Sequence, residues 1–170
     1  MDDLTSYIFD LSQNAFNAKS SYLKITIDKK TSYRLSIIDH GKGIKKSDLI
    51  KISSPFYTTR TTRDVGLGIP LMLLLCEQTD GSHEFKSIRH IGTRLTFILN
   101  HHHLDFPKEG DYGMMVADLV MHQDLKKLVF KYTCHGQTYM YKYKKNKQTK
   151  KRKELIQEIN THINRIEGRL

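Results

Sequence analysis

The apolar positions of this chain follow two rhythms. Leu4, Ile8, Leu11, Ala15 and Ala18 recur every three or four residues, which predicts a helix over 3–18 with one buried stripe. At about 100° per residue, Asp3, Asp10, Asn14 and Asn17 fall together beside that stripe. Such a row of carboxylates and amides serves equally as a solvated flank or as the lining of a cleft. From Tyr22 the period drops to two: Leu23, Ile25 and Ile27 alternate with Lys24, Thr26 and Asp28. A turn at 29–32 and a second strand over 33–38 complete a hairpin. Residues 46–52 suit a short helix, capped by Ser47 or by the residues just before it. Residues 69–78 are the most apolar helix candidate, buried on nearly all sides, with Pro70 in its first turn and Asp80-Gly81 at its end. Strands are expected over 84–87 and 92–100.

Beyond His101-His102-His103 the composition changes. The pattern predicts a loop over 105–111, a helix over 114–124, and strands over 127–133 and 137–144 around the turn at Cys134-His135-Gly136. Leu155, Ile159, Ile163 and Ile166 keep helical spacing within 150–167. Their apolar face needs a partner, in this chain or in a second copy, so a homodimer through this helix is one expectation. The expected division is a domain over 1–100, a small α-β-β extension over 101–145, and a basic linker with the amphipathic helix over 146–170. Hydrophobic pattern alone leaves open whether 101–170 is a regulatory module or a continuation of the sheet.

At 170 residues and 38% hydrophobic content the chain is long enough for a real core. No apolar run approaches the roughly 20 residues that span a bilayer, and the acidic start does not look like a signal peptide. Cys76 and Cys134 lie far apart and outside any CxxC, so free thiols in a reducing cytoplasm are expected. A net charge of +10 invites a nucleic-acid partner, but residues 142–153 hold eight Lys and Arg and no acid, which leaves only +2 elsewhere. That reads as a solvated, basic linker, and nucleic acid is not expected as a partner.

The candidate chemistry lies between Leu35 and Gly68. Asp39-His-Gly-Lys-Gly-Ile44 puts a carboxylate at the end of a buried strand, where it can accept a hydrogen bond from an exocyclic amine such as adenine offers. Gly41 and Gly43 let backbone approach a flat base or turn sharply beside it. The motif alone is also that of many tight turns. Gly66-Leu67-Gly68 directly precedes a helix, an arrangement that exposes N–H groups to phosphate. Thr58, Thr59, Arg60 and Arg63 add donors for a polyphosphate. Asn14 offers an amide oxygen to Mg²⁺. Asp10, one turn earlier, is placed to orient or deprotonate a water or a hydroxyl.

The order of these motifs resembles the ATP-binding domain shared by histidine kinases, gyrase, heat-shock chaperone ATPases and MutL, the GHKL group. Asp10-Leu-Ser-Gln-Asn14 is similar to the helix with the Mg²⁺-binding asparagine. Asp39-His-Gly41-Lys-Gly43-Ile44 is similar to the adenine-binding Asp and its glycines. Pro55-Phe-Tyr-Thr-Thr-Arg60 resembles the opening of the ATP lid, Gly66-Leu67-Gly68 the phosphate-binding glycines, and Thr93 the threonine that supports the adenine site. The resemblance covers residues 3–100. It implies an α/β (α+β) two-layer sandwich of Bergerat type, with a mixed sheet on one side and helices on the other, ATP and Mg²⁺ as cofactors, and a lid over 53–65 that orders over triphosphate.

Two departures bear on activity. Hydrolytic members usually carry Glu where this chain has Asp10, one methylene shorter. Only nine residues precede Asp10, so the expectation is not a complete sensor kinase but a stand-alone ATP-binding subunit, in the manner of anti-sigma-factor kinases or small bacterial ATP-binding proteins. It would act as a protein-kinase-like ATPase with a partner protein, or as a non-catalytic ATP-dependent switch. Other clusters favour plainer readings. His101–His103 reads as a His-rich strand end rather than a metal site, and Asp105, Glu109, Asp111 and Asp118 as loop and helix-cap residues rather than an acidic site. Tyr132, Tyr139, Tyr141 and Tyr143 among lysines read as a protected sheet edge rather than a stacking platform.

Overall fold

The computed structural model describes residues 3–52, 68–147 and 150–169. The chain runs α1 (Leu4–Asn17), β1 (Tyr22–Lys29), β2 (Tyr33–Asp39), α2 (Lys46–Ile52), α3 (Gly68–Gln78), β3 (Ser82–Ile88), β4 (Gly92–Leu99), α4 (Tyr112–Val120), β5 (Lys127–Cys134), β6 (Gln137–Lys144) and α5 (Arg152–Ile166). The six strands form one mixed sheet in the order β3-β4-β2-β1-β5-β6. Neighbours are antiparallel except β1 and β5, which pair in parallel with Ile25 opposite Phe130. This is the expected two-layer α+β sandwich.

Period-two alternation decides which face is covered. Leu23, Ile25 and Ile27 of β1, Tyr33, Leu35 and Ile37 of β2, Leu95, Phe97 and Leu99 of β4, and Leu128, Phe130 and Tyr132 of β5 are all buried. Strand pairing puts them on one side of the sheet. Against that side lie Leu4, Ile8, Leu11 and Ala15 of α1, Met72 and Leu73 of α3, and Val116 and Leu119 of α4 in one continuous core. α3 is less evenly buried than its composition suggested, because Leu74 is exposed.

Beyond residue 100, α4, β5, β6 and α5 continue this sheet and core. Leu155, Ile159, Ile163 and Ile166 of α5 pack within the same chain, over the half-buried Tyr139, Tyr141 and Tyr143 of the edge strand β6. His162 stacks on Tyr139 with ring centroids 4.5 Å apart. The apolar stripe is thus covered by its own sheet, and a homodimer through α5 would have to use the helix's solvent face. Asp111 caps α4, accepting the Met114 N–H at 2.7 Å, as its loop position predicts.

One polar cluster was not legible in the sequence. The Lys29 ammonium donates to both Glu109 and Glu167. Tyr132 donates to Glu167, and Tyr112 donates to Glu109 at 2.8 Å while its hydroxyl meets that of buried Tyr33. It joins β1, the loop before α4 and the end of α5.

Candidate functional site

The core face of the sheet does not close completely. Between α1, the ends of β2 and β4, and α2 lies a cavity of about 470 Å³, lined by Asn14, Asp39, Gly43, Ile44 and Thr93, with Leu11, Ile37, Ile69 and Leu95 as its apolar walls. Sequence positions 14, 39, 44 and 93 therefore converge on one space.

Asp39 ends β2, opposite Thr93 of β4. It is 9% exposed, and its Oδ1 accepts the Gly41 N–H at 2.7 Å. Burial raises its pKa above the ordinary carboxylate value, and the Gly41 N–H offsets only part of that. The loop after it is pinned on both sides. The Lys42 N–H donates to the Ala18 carbonyl and the His90 N–H to the Lys42 carbonyl, both at 2.8 Å, and His40 stacks on Tyr22. A Cβ at Gly41 would stand 2.6 Å from the Ala18 carbonyl oxygen. Gly43 has φ +65°, and a Cβ there would meet the Ile88 carbonyl at 2.2 Å, so only glycine lets this loop lie against the β3–β4 turn.

A hydroxyl relay holds the far side. Ser87 accepts the Ile44 N–H at 2.8 Å and donates to the Gly92 carbonyl at 3.0 Å, so the Thr93 hydroxyl, 3.0 Å away, must donate to Ser87. The lone pairs of buried Thr93 are left to accept beside Asp39. Sequence reasoning missed Ser87, since it lies on an exposed edge strand with no motif around it; only its pairing opposite Thr93 brings it to the site. It also missed Lys42, Lys45, Lys51, Arg89 and His90, which line the same cavity from the loop, α2 and the turn.

The second half of the site is where α3 meets α1. Gly68 begins α3, and a Cβ there would lie 2.7 Å from Asp10 Oδ2. That oxygen is buried with no hydrogen-bond partner among the described residues. Asn14 stands one turn further along α1 and faces the cavity. A hard divalent cation fits Asn14 in kind, since its side-chain oxygen is an acceptor at the cavity wall. Thr58, Thr59, Arg60, Gly66, Leu67 and the lid segment lie outside the described residues. Among the described residues no helix is long and apolar enough to cross a membrane.

Comparison with known proteins agrees with this geometry. Residues 1–103 match the family model described as histidine kinase-, DNA gyrase B- and HSP90-like ATPase. The sensor histidine kinase ZraS of Escherichia coli O157:H7 is 31% identical over 101 residues, which are 58% of this chain and 22% of the kinase. The chain therefore spans about a fifth of the length of that relative. The N-terminal domain of a DNA repair protein superposes with a TM-score of 0.59 at 15% identity, over 92% of this chain and 57% of that one. The topoisomerase IV ATP-binding domain of Francisella tularensis gives 0.52 at 11% identity, over 83% and 87%. At those identities the two structures establish the fold alone. With the family match covering more than half of its length, this chain belongs to the histidine kinase-, DNA gyrase B- and HSP90-like ATPase family as a histidine-kinase-like ATP-binding domain.

Proposed function

We propose that the chain binds ATP with Mg²⁺ and acts as a protein-kinase-like or ATPase subunit on a partner protein. The observation that carries this is the convergence of Asp39, Thr93, Ile44 and Asn14 on one cavity bordered by the α1–α3 contact. Adenine would lie among the apolar walls, its amine donating to Asp39, with Thr93 accepting nearby. Gly41 and Gly43 shape that pocket, and Gly66, Leu67, Gly68, Thr58, Thr59 and Arg60 would serve the phosphates. Asn14 would hold Mg²⁺, which, when bound, neutralises charge building on the transferred phosphoryl group. Asp10 would accept a proton from water or a substrate hydroxyl; its Oδ2 has no hydrogen-bond partner among the described residues.

The test is a calorimetric titration of ATP and Mg²⁺ into wild type and Asp39→Asn. A charged hydrogen bond of about 1.5–3 kcal/mol should vanish, weakening binding by roughly 10- to 150-fold. Equal affinities would remove Asp39 from the site. The shorter carboxylate at Asp10 favours a second reading, an ATP-dependent switch without catalysis. Asp10→Ala separates them: a catalytic subunit keeps ATP binding and loses turnover, whereas a switch keeps both ATP binding and its ATP-dependent response to the partner.

A further inference from the structure

The helices leave the other face of the sheet bare, and strand pairing determines what stands on it. Lys24 of β1 is opposite Ile38 and Val129, Arg34 of β2 is opposite Asp28 and Ile98, and Arg94 of β4 is opposite Ile38 and Lys86. On the other half, Lys127 and Lys131 of β5 stand opposite Lys144 and Met140 of β6, with Lys142 between them. Eight Lys and Arg from all six strands thus share this face with only two acids, Asp28 and Glu84. Six of the ten net positive charges of the chain are here, not in the 142–153 run alone. Arg34, Lys86, Arg94, Lys127, Lys142 and Lys144 are exposed. Of the eight cations only Lys86 has an ion-pair partner among the described residues, Glu84 at 2.8 Å.

From this charge pattern we propose that the bare sheet face is a docking surface for the phosphate backbone of double-stranded DNA. The proposal is independent of the ATP site, which lies on the opposite side of the sheet. At about 4.8 Å per strand the face is roughly 29 Å across, the scale of a single DNA-binding module. Its cations are spread over the whole face and interleaved with the half-buried hydroxyls of Thr26 and Ser36, which are of the kind that phosphate oxygens take as donors. An acidic protein is a poorer fit. Ile38, Ile98 and Val129 are half-buried between charged neighbours, with no large apolar anchor exposed beside them on these strands. Single strands are a poorer fit too, because the one ring on this face, Tyr22, is already stacked on His40. The cations stand on six strands of one sheet rather than on an element that enters a groove, so contact is with the phosphate backbone and binding should be insensitive to sequence. Of the basic run at 142–153, Lys142 and Lys144 belong to this face, whereas Lys150 and Arg152 pair with Glu158 and Asp118 on the helical side. The expectation of no nucleic-acid partner rested on counting charge along the chain; folding gathers that charge onto one plane.

The test is fluorescence anisotropy of a labelled DNA duplex of about 20 base pairs with the full chain, between about 50 and 200 mM salt. Three proteins are compared: wild type, the face variant Arg34→Gln/Arg94→Gln/Lys127→Gln, and the run variant Lys150→Gln/Lys151→Gln/Lys153→Gln. ATP binding and circular dichroism are followed in each, so a failure of the nucleotide site or of folding is seen separately. Wild type should bind with a steep salt dependence. The face variant should lose roughly tenfold or more in affinity and about 2.7 in the log–log salt slope, with ATP binding unchanged. No binding at low salt would overturn the proposal. So would a face variant that binds as wild type while the run variant loses everything, or tighter binding of the single strand, of duplex RNA, or of an acidic polypeptide of equal charge.

Discussion

Gly68 brings α3 so close to Asp10 that a methyl group at position 68 would stand 2.7 Å from the carboxylate Oδ2. The glycine is thus a spacer for a side chain as well as a helix start. Gly68→Ala should push the Asp10 carboxylate aside, since the next nearest atom, the Leu11 nitrogen, is 3.3 Å away and can be accommodated. Alanine also favours the helix by up to about 1 kcal/mol. The expected variant is as stable as wild type by thermal unfolding but binds ATP·Mg²⁺ about tenfold more weakly or has lost turnover. Unchanged nucleotide behaviour would show that the contact is only packing.

Asp39 connects acidity to nucleotide binding. Burial holds its folded pKa above 3.8, so the carboxylate costs stability where it is ionised and that cost is relieved as pH falls through the folded pKa. On the proposed reading, the adenine amine donates to the ionised form. Affinity should therefore fall on acidification at a higher pH than an ordinary Asp would give, and Asp39→Asn should be at least as stable as wild type while binding poorly. A titration series against pH with both proteins checks this.

Ser87 acts through Ile44 and Thr93. Removing its hydroxyl strands the Ile44 N–H and frees the Thr93 hydroxyl to turn into the cavity. Ser87→Ala should cost about 1 kcal/mol in denaturant unfolding and weaken ATP several-fold, whereas Ser87→Thr should restore part of both. A loss of stability with no change in ATP affinity would make Ser87 a purely structural residue.

Lys29 sets a pH window for the fold. Burial alone would lower its pKa, but Glu109 and Glu167 more than offset this and raise it above 10.5. Its contribution is complete below 10.5 and lost as pH rises through the folded value. Burial would raise Glu167, but Lys29 and Tyr132 hold it below 4.5, so its contribution is complete above 4.5 and lost as pH falls through the folded value. Stability should plateau between these limits. Lys29→Met should lower the plateau by about 3 kcal/mol and flatten the alkaline decline, measured by urea unfolding across pH.

Ile159 is fully buried between α5 and the sheet. Ile159→Ala should cost about 2–5 kcal/mol. If residues 101–170 fold as one unit with the nucleotide half, thermal unfolding stays a single transition and amides of β1 and β5 lose protection together. Two transitions would mark a boundary near residue 100.

Local pattern determined a good deal by itself. Alternation at Leu23-Ile25-Ile27 and the three-four spacing from Leu4 to Ala15 are written in the chain because burial of one face demands them, and each became the element it foretold. The need for glycine at 41 and 43 was legible because a sharp turn pressed against neighbouring backbone admits so few residue types. Long-range pairing decided the rest. That β5 lies beside β1 in parallel, that Ser87 stands opposite Thr93, and that Lys29 meets Glu109 and Glu167 depend on strand order, which no local period encodes. The same holds for charge. Counted in order, the lysines and arginines looked like a tail, but a sheet sends alternate residues of distant strands to one side. Only the tertiary structure could turn scattered cations into a surface.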